Sequence, residues 1–126
     1  MKTVCTVVLA SLFMAACQTT HPSGSSNLNY PFAQYRDLAT AMRSFVGVQT
    51  SGTVGQEKIL IMRNQKIGET EPLYVINGQP MGTSYQLVNQ TIDMQRVTYI
   101  RVLRSPAEAI DYGPLSAGGV IEVYYR

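Results

Sequence analysis

A small α+β fold, a mixed β-sheet with short packing helices, is what this 126-residue sequence predicts. Three observations predict it. Apolar runs of strand length recur from residue 58 to the end. The segments between them carry capping residues and glycines that stop and start short helices. The stretch before them has a helical period instead of an alternating one.

That stretch covers about Phe32–Val46. Tyr35, Leu38, Ala39, Met42 and Phe45 or Val46 recur at i, i+3, i+4 and i+7, one apolar stripe suited to packing on a sheet. Arg43 falls in the last turn, where a cation favours the helix dipole, and Gly47 suits the position after the helix end. Val48–Thr50 is a short extended piece, followed by the loose Ser51–Gly55. Lys58–Arg63 (Lys-Ile-Leu-Ile-Met-Arg) is a continuous apolar run between charges, which predicts a strand covered on both faces. Asn64–Glu71 reads as a polar loop. Leu73–Ile76 is a strand, and Asn77-Gly78 is a tight-turn signal because both residues tolerate positive φ. The return run Gln79–Gly82 contains Pro80, which confines it to an edge or a turn.

Thr83 or Ser84 is placed to cap a short helix carrying Tyr85, Leu87 and Val88, and Thr91 to cap a further turn through Met94. Val97–Leu103 reads as a strand with Ile100 and Val102 on one face and Arg101 on the other. Ser105-Pro-Ala-Glu108 matches a capping box, with Ser105 as N-cap, Pro106 at the first helical position and Glu108 at the third. Tyr112–Gly119 is a loop with glycines at 113, 118 and 119, and Val120–Tyr125 is the final strand. A strand, a short helical crossover and a strand put both strands in one mixed sheet.

The N-terminus has a different character. Lys2 is a positive n-region, Val4–Ala16 is mostly apolar, and Ala15-Ala16 precede Cys17, which together predict a signal peptide over residues 1–16. Met14-Ala-Ala-Cys17 resembles a bacterial lipobox. The resemblance implies acylation of Cys17, and Gln18 after it resembles the outer-membrane sorting pattern. Residues 17–30, polar and rich in Ser, Gly and Pro, are expected to be a lipidated tether, and residues 31–126 the folded domain. Without the leader, one small domain of net charge near +1 remains. Its cations are scattered, which argues against a nucleic-acid partner. Cys5 and Cys17 fall outside the domain, as does the single histidine, His21. Disulfides, Cys/His zinc sites and Ser–His–Asp or Cys–His catalysis are thereby excluded from it by inventory.

An ordered set of pieces spans Tyr35 to Arg126. It runs Gly47-Val48, the strand near Ile59, Leu73-Tyr-Val-Ile-Asn-Gly78, Ile100-Arg-Val-Leu-Arg104, Ser105-Pro-Ala-Glu-Ala109, Tyr112-Gly113 and Ala117-Gly-Gly-Val-Ile121. The set resembles the plug domain of TonB-dependent outer-membrane receptors, in which a plug fills the lumen of a large β-barrel. The resemblance implies a plug-like fold, a barrel or envelope protein as partner, and a place at the outer membrane. Two features depart from that pattern: no TonB-binding box is recognisable in the tether, and about three extra residues lengthen the strand around Thr98–Tyr99. Barrel strands of about ten residues are not expected after Arg126, so transport is not carried over.

The glycines at 113, 118 and 119 do not fit a phosphate-binding spacing, and tight turning beside a sheet accounts for them better. Glu108 and Asp111 read as capping residues instead of a catalytic pair. Tyr30, Tyr35, Tyr74, Tyr85, Tyr99, Tyr112, Tyr124 and Tyr125 are mostly sheet-packing residues, with Tyr124 and Tyr125 forming a candidate interaction edge beside an unpaired final strand. Candidate binding loops centre on Asn77 and Gly78 and on Tyr112, Gly113, Gly118 and Gly119. The expectation is a non-enzymatic, periplasm-facing outer-membrane lipoprotein that works as a protein-interaction module without cofactor or metal. The alternative is a lipoprotein that binds a small solute such as a siderophore, cobalamin or glycan.

Overall fold

Two sheets and short helical segments build the domain. The computed structural model describes residues 31–63, 66–67 and 70–126. The expected signal peptide, Cys17 and the tether therefore lie outside the described residues. In chain order the elements are α1 (Leu38–Met42), β1 (Val48–Ser51), β2 (Lys58–Arg63), β3 (Lys66–Ile67), β4 (Leu73–Ile76), β5 (Gln79–Gly82), α2 (Tyr85–Thr91), β6 (Val97–Leu103) and β7 (Val120–Tyr125). A 3₁₀ turn over Met94–Arg96 precedes β6, and a 3₁₀ segment over Ile110–Gly118 joins β6 to β7. The first sheet is antiparallel in the order β1-β2-β3; the second is mixed, in the order β5-β4-β7-β6. Within the second, β4 and β7 run parallel and the other pairs antiparallel.

The expected mixed sheet is thus present, with a second sheet beside it. β6 and β7 are adjacent and antiparallel, so the segment between them is a return and not a crossover. The parallel pair is β4–β7, which the sequence order alone does not disclose.

The main core forms on one face of the four-stranded sheet. Tyr74, Ile76, Ile121, Val123 and Ile100 pack there against Leu38, Ala39 and Met42 of α1, Tyr85 and Val88 of α2, and Ile59 and Ile61 of β2. The opposite face holds a smaller cluster of Leu73, Val75, Leu103, Val120 and Ala109, with Tyr112 against it. β4 and the first four residues of β7 are consequently buried on both faces, as parallel neighbours usually are. β2 was expected to have that environment and does not. Ile59 and Ile61 are buried while Lys58 and Met62 are exposed, because β2 sits in an antiparallel sheet with one face on the core.

Other departures are local. The first helix is one turn, Leu38–Met42, where Phe32–Val46 was expected. Asp37 caps it by accepting the Thr40 N–H at 2.7 Å, which starts the helix six residues late. Phe45 packs on the core while Val46 is 82% exposed. The polar stretch after β2 includes β3, paired with β2 through Met62↔Ile67. Asp93, not Thr91, caps the turn before β6, and the Thr91 hydroxyl bonds back to the Leu87 carbonyl. Leu87 itself is exposed, whereas Tyr85 and Val88 are buried. In β6, Thr98 forms a bulge: Val97 pairs with Tyr125 and Tyr99 with Tyr124. The extra length noticed around Thr98–Tyr99 is partly absorbed there.

Candidate functional site

The two candidate loops lie at opposite ends of the four-stranded sheet. Asn77 and Gly78 form the β4–β5 turn with φ of 47° and 82°. Asn77 is tied to the end of β7: its amide nitrogen donates to the Tyr125 carbonyl at 3.2 Å, and its side-chain oxygen accepts the Tyr125 N–H at 2.9 Å. Gly119 sits at the start of β7, where its carbonyl accepts the Leu73 N–H at 2.9 Å. The parallel register Leu73↔Val120 to Ile76↔Val123 separates these ends by about 13 Å at 3.3 Å per residue. One small ligand is therefore not gripped by both Asn77-Gly78 and Gly118-Gly119.

Gly118 and Gly119 are packing positions. A Cβ on Gly118 would stand 2.2 Å from the Glu71 carbonyl oxygen, and one on Gly119 2.7 Å from Ile61 Cδ1. Gly113, at φ 65° and ψ −154°, kinks the 3₁₀ segment into a conformation that is nearly restricted to glycine. The close approach of β2 and residues 70–71 is what demands glycine at 118 and 119, and nothing local in the sequence reports it.

Tyr112 folds back over the sheet and donates a 2.5 Å hydrogen bond to Glu122. That bond to a carboxylate, with burial adding to it, pushes the phenol up to about 12. Glu122 is 5% exposed, and Arg101 on β6 approaches its other oxygen at 3.8 Å. Further along the same face, the Tyr99 and Tyr124 rings lie 6.1 Å apart, with Tyr99 53% exposed. The final strand was expected to be unpaired, and it is interior: β7 pairs with β4 through Val123 and with β6 to its end, and beyond Val123 the Asn77 side chain takes the place of β4 at Tyr125. The outer strand is β6, and Tyr125 instead carries the Arg96 guanidinium 5.6 Å from its ring centroid.

The sequence reading missed a groove at the Gly119 end. Val46, Gly47, Met62, Arg63, Arg104, Ser105 and Pro106 enclose about 670 Å³. A second hollow of about 380 Å³ shares Arg63 and Pro106 and continues along Ile110, Pro114 and Ala117. Arg104 donates to the Val46 carbonyl and covers Gly47. Arg63 donates to the Ser116 carbonyl at 3.2 Å, while its buried Nε has no partner among the described residues. The capping box forms as predicted, with Ser105 N–H and hydroxyl donating to Glu108 at 3.1 and 2.9 Å. It opens a turn that runs into the 3₁₀ segment in place of a helix. Those Ser105 bonds, with the Arg104 N–H, hold the Glu108 carboxyl below its ordinary value.

A shallower polar cleft of about 490 Å³ is lined by Gln56, Glu57, Lys58, Glu71, Thr83, Ser84, Tyr85 and Gln86. Glu57, 6% exposed, accepts the Gly55 N–H there at 2.7 Å. No group of three or more His, Cys, Asp or Glu among the described residues is placed to hold a metal. No described helix is long and apolar enough to cross a membrane.

A mixed four-stranded sheet with short helices over one face and a glycine-rich return over the other defines an α+β, plug-like module. The chain belongs to the TonB-dependent receptor plug domain family, whose model matches residues 32–120. It is similar to TonB-dependent receptor P26 of Formosa agariphila, with 35% identity over 77 residues. That match covers 60% of this chain and 8% of the receptor, so the chain corresponds to a small part of that relative's length.

Proposed function

We propose that this protein is a non-enzymatic interaction module of the outer membrane, anchored through an acylated Cys17 and facing the periplasm, whose plug-like domain docks on a β-barrel or another envelope protein. Family membership supports the class of partner, since plug domains in receptors sit with barrels. The observation that carries a docking role is the cross-strand pair of Tyr99 on the edge strand β6 and Tyr124 on β7. Its two rings stand together at one end of the sheet with Tyr99 53% exposed, and tyrosines of this kind bury area against a partner while keeping their hydroxyls wet. A photo-crosslinker at Tyr99 in membranes is expected to capture a barrel or envelope protein, and Tyr124→Ala to weaken recovery. Monomer alone at native abundance overturns the reading. Labelled palmitate incorporation that is lost in Cys17→Ser tests the anchor separately.

The polar cleft favours a second reading, capture of a small solute. Thr83 and Ser84, just after β5 on the far side from the candidate Asn77-Gly78 turn, line it together with the buried Glu57. Thermal-shift measurements with ferric siderophores, cobalamin and oligosaccharides are expected to raise the melting temperature for one class; flat curves across all three count against it.

A further inference from the structure

The groove at the Gly119 end joins two arginines to exposed apolar side chains. Two arginines, Arg63 and Arg104, line it, and neither is ion-paired with a described carboxylate. Each guanidinium donates to a backbone carbonyl, Ser116 for Arg63 and Val46 for Arg104. Arg63 Nε is buried, so the fork that Arg63 offers is its terminal NH₂ pair, and such guanidinium forks suit planar bidentate anions such as carboxylate or phosphate. Val46 lines the groove at 82% exposure and Ile110 the adjoining hollow at 73%, and Leu115, 61% exposed, lies on the same 3₁₀ segment as Ile110. These are three of the four most exposed large apolar residues among those described.

A charged floor beneath an apolar rim matches an amphiphile, an anionic head under hydrocarbon. We infer that this groove docks on the headgroup phosphates of an anionic lipid surface, with Val46, Ile110 and Leu115 entering the headgroup–acyl boundary. Glu108 and Asp111 share this end of the molecule. The Glu108 carboxylate is turned onto the Ser105 and Arg104 N–H groups, so the attraction comes from the local guanidinium forks and not from a net positive field. Proximity comes from the Cys17 anchor proposed above, on which this inference rests for that one element. Residues 18–30 span no more than about 45 Å even fully extended, which holds the domain beside the bilayer and raises the effective concentration of headgroups.

The test places an environment-sensitive fluorophore on Ala107→Cys, beside the groove, in the full-length protein on vesicles containing brominated lipids. Phosphatidylglycerol vesicles are expected to quench it and phosphatidylcholine vesicles not to. Arg63→Gln and Arg104→Gln are each expected to weaken the quenching about fivefold, and Leu115→Ser to weaken it without changing its dependence on lipid charge. Arg96→Gln, at the opposite end of the sheet, leaves it unchanged, and circular dichroism confirms that each variant is folded. Arg104→Lys keeps the charge but loses the fork, and is expected to fall between wild type and Arg104→Gln. Equal quenching in both lipids, or quenching indifferent to both arginines, overturns the inference. So does binding of inorganic phosphate with no vesicle response, which assigns the groove to a free anion. A result in which an acidic envelope protein occupies the groove and vesicles do not also overturns it. Mass spectrometry of Cys17 reads the anchor independently: an unacylated chain that still shows lipid-charge-dependent quenching leaves the groove assignment standing and removes only the anchor.

Discussion

Asp37 is 7% exposed and carries three bonds, from the Thr40 N–H and from the Arg36 side chain on two atoms. Burial alone would raise its carboxyl, but the Thr40 and Arg36 contacts outweigh burial and hold it below its ordinary 3.8. A carboxyl depressed by folding stabilises the native state above its unfolded pKa, and that contribution is lost as pH falls through the folded value. Asp37→Ala is therefore expected to cost about 1 kcal/mol near neutrality. The gap to wild type should close below about pH 4, as read by urea denaturation at several pH values. Glycines separate by environment. Gly119 has φ 96° and ψ 179° as well as its steric conflict with Ile61, while a Cβ at Gly113 meets nothing within 4 Å. Gly113→Ala should cost only backbone strain, about 1–3 kcal/mol, and Gly119→Ala distinctly more, as read by urea denaturation. Both positions read alike in the sequence, as turn glycines.

At the scale of elements, the return from β6 to β7 is held by one side chain. Tyr112 lies between the small apolar cluster and Glu122, so it fastens the 3₁₀ segment to the sheet. Tyr112→Phe leaves a buried carboxylate without its hydroxyl donor and is expected to cost about 1.5–3 kcal/mol. A double-mutant cycle with Glu122→Gln should show coupling, whereas simple additivity would mean that the hydroxyl bond does not hold the segment. The strands themselves were readable. Leu73–Ile76, the Asn77-Gly78 turn, Gln79–Gly82 and Val97–Leu103 appear where alternation, turn chemistry and Pro80 put them. The first helix was overread because its apolar stripe continues past its ends: Tyr35 and Phe45 pack on the core from turns flanking one helical turn. Periodicity records which residues face the core, not whether the backbone between them stays helical.

For the whole molecule, the seam between the sheets carries its own test. Ile61 of β2 is fully buried in the main core and its Cδ1 blocks a side chain on Gly119. Ile61→Val alone should cost about 0.5–1.5 kcal/mol, and in that background Gly119→Ala should be less damaging than in wild type, a positive coupling visible in chemical denaturation. Strict additivity would mean that the sheets do not meet through this pair. Local chemistry determined a good deal unaided: an α+β chain, most strand positions, the capping box, and an ordered set of motifs that marks the plug family. Tertiary structure decided which strands neighbour one another. It put Asn77-Gly78 and Gly118-Gly119 at opposite ends of the sheet, made β7 an interior strand, and brought Val46, Arg63, Arg104 and Ile110 to one groove. Those residues are separated along the chain by up to 64 positions. Capping and alternation act over a few residues and leave a local record, whereas strand order and a groove depend on long-range pairing that no short stretch of sequence encodes.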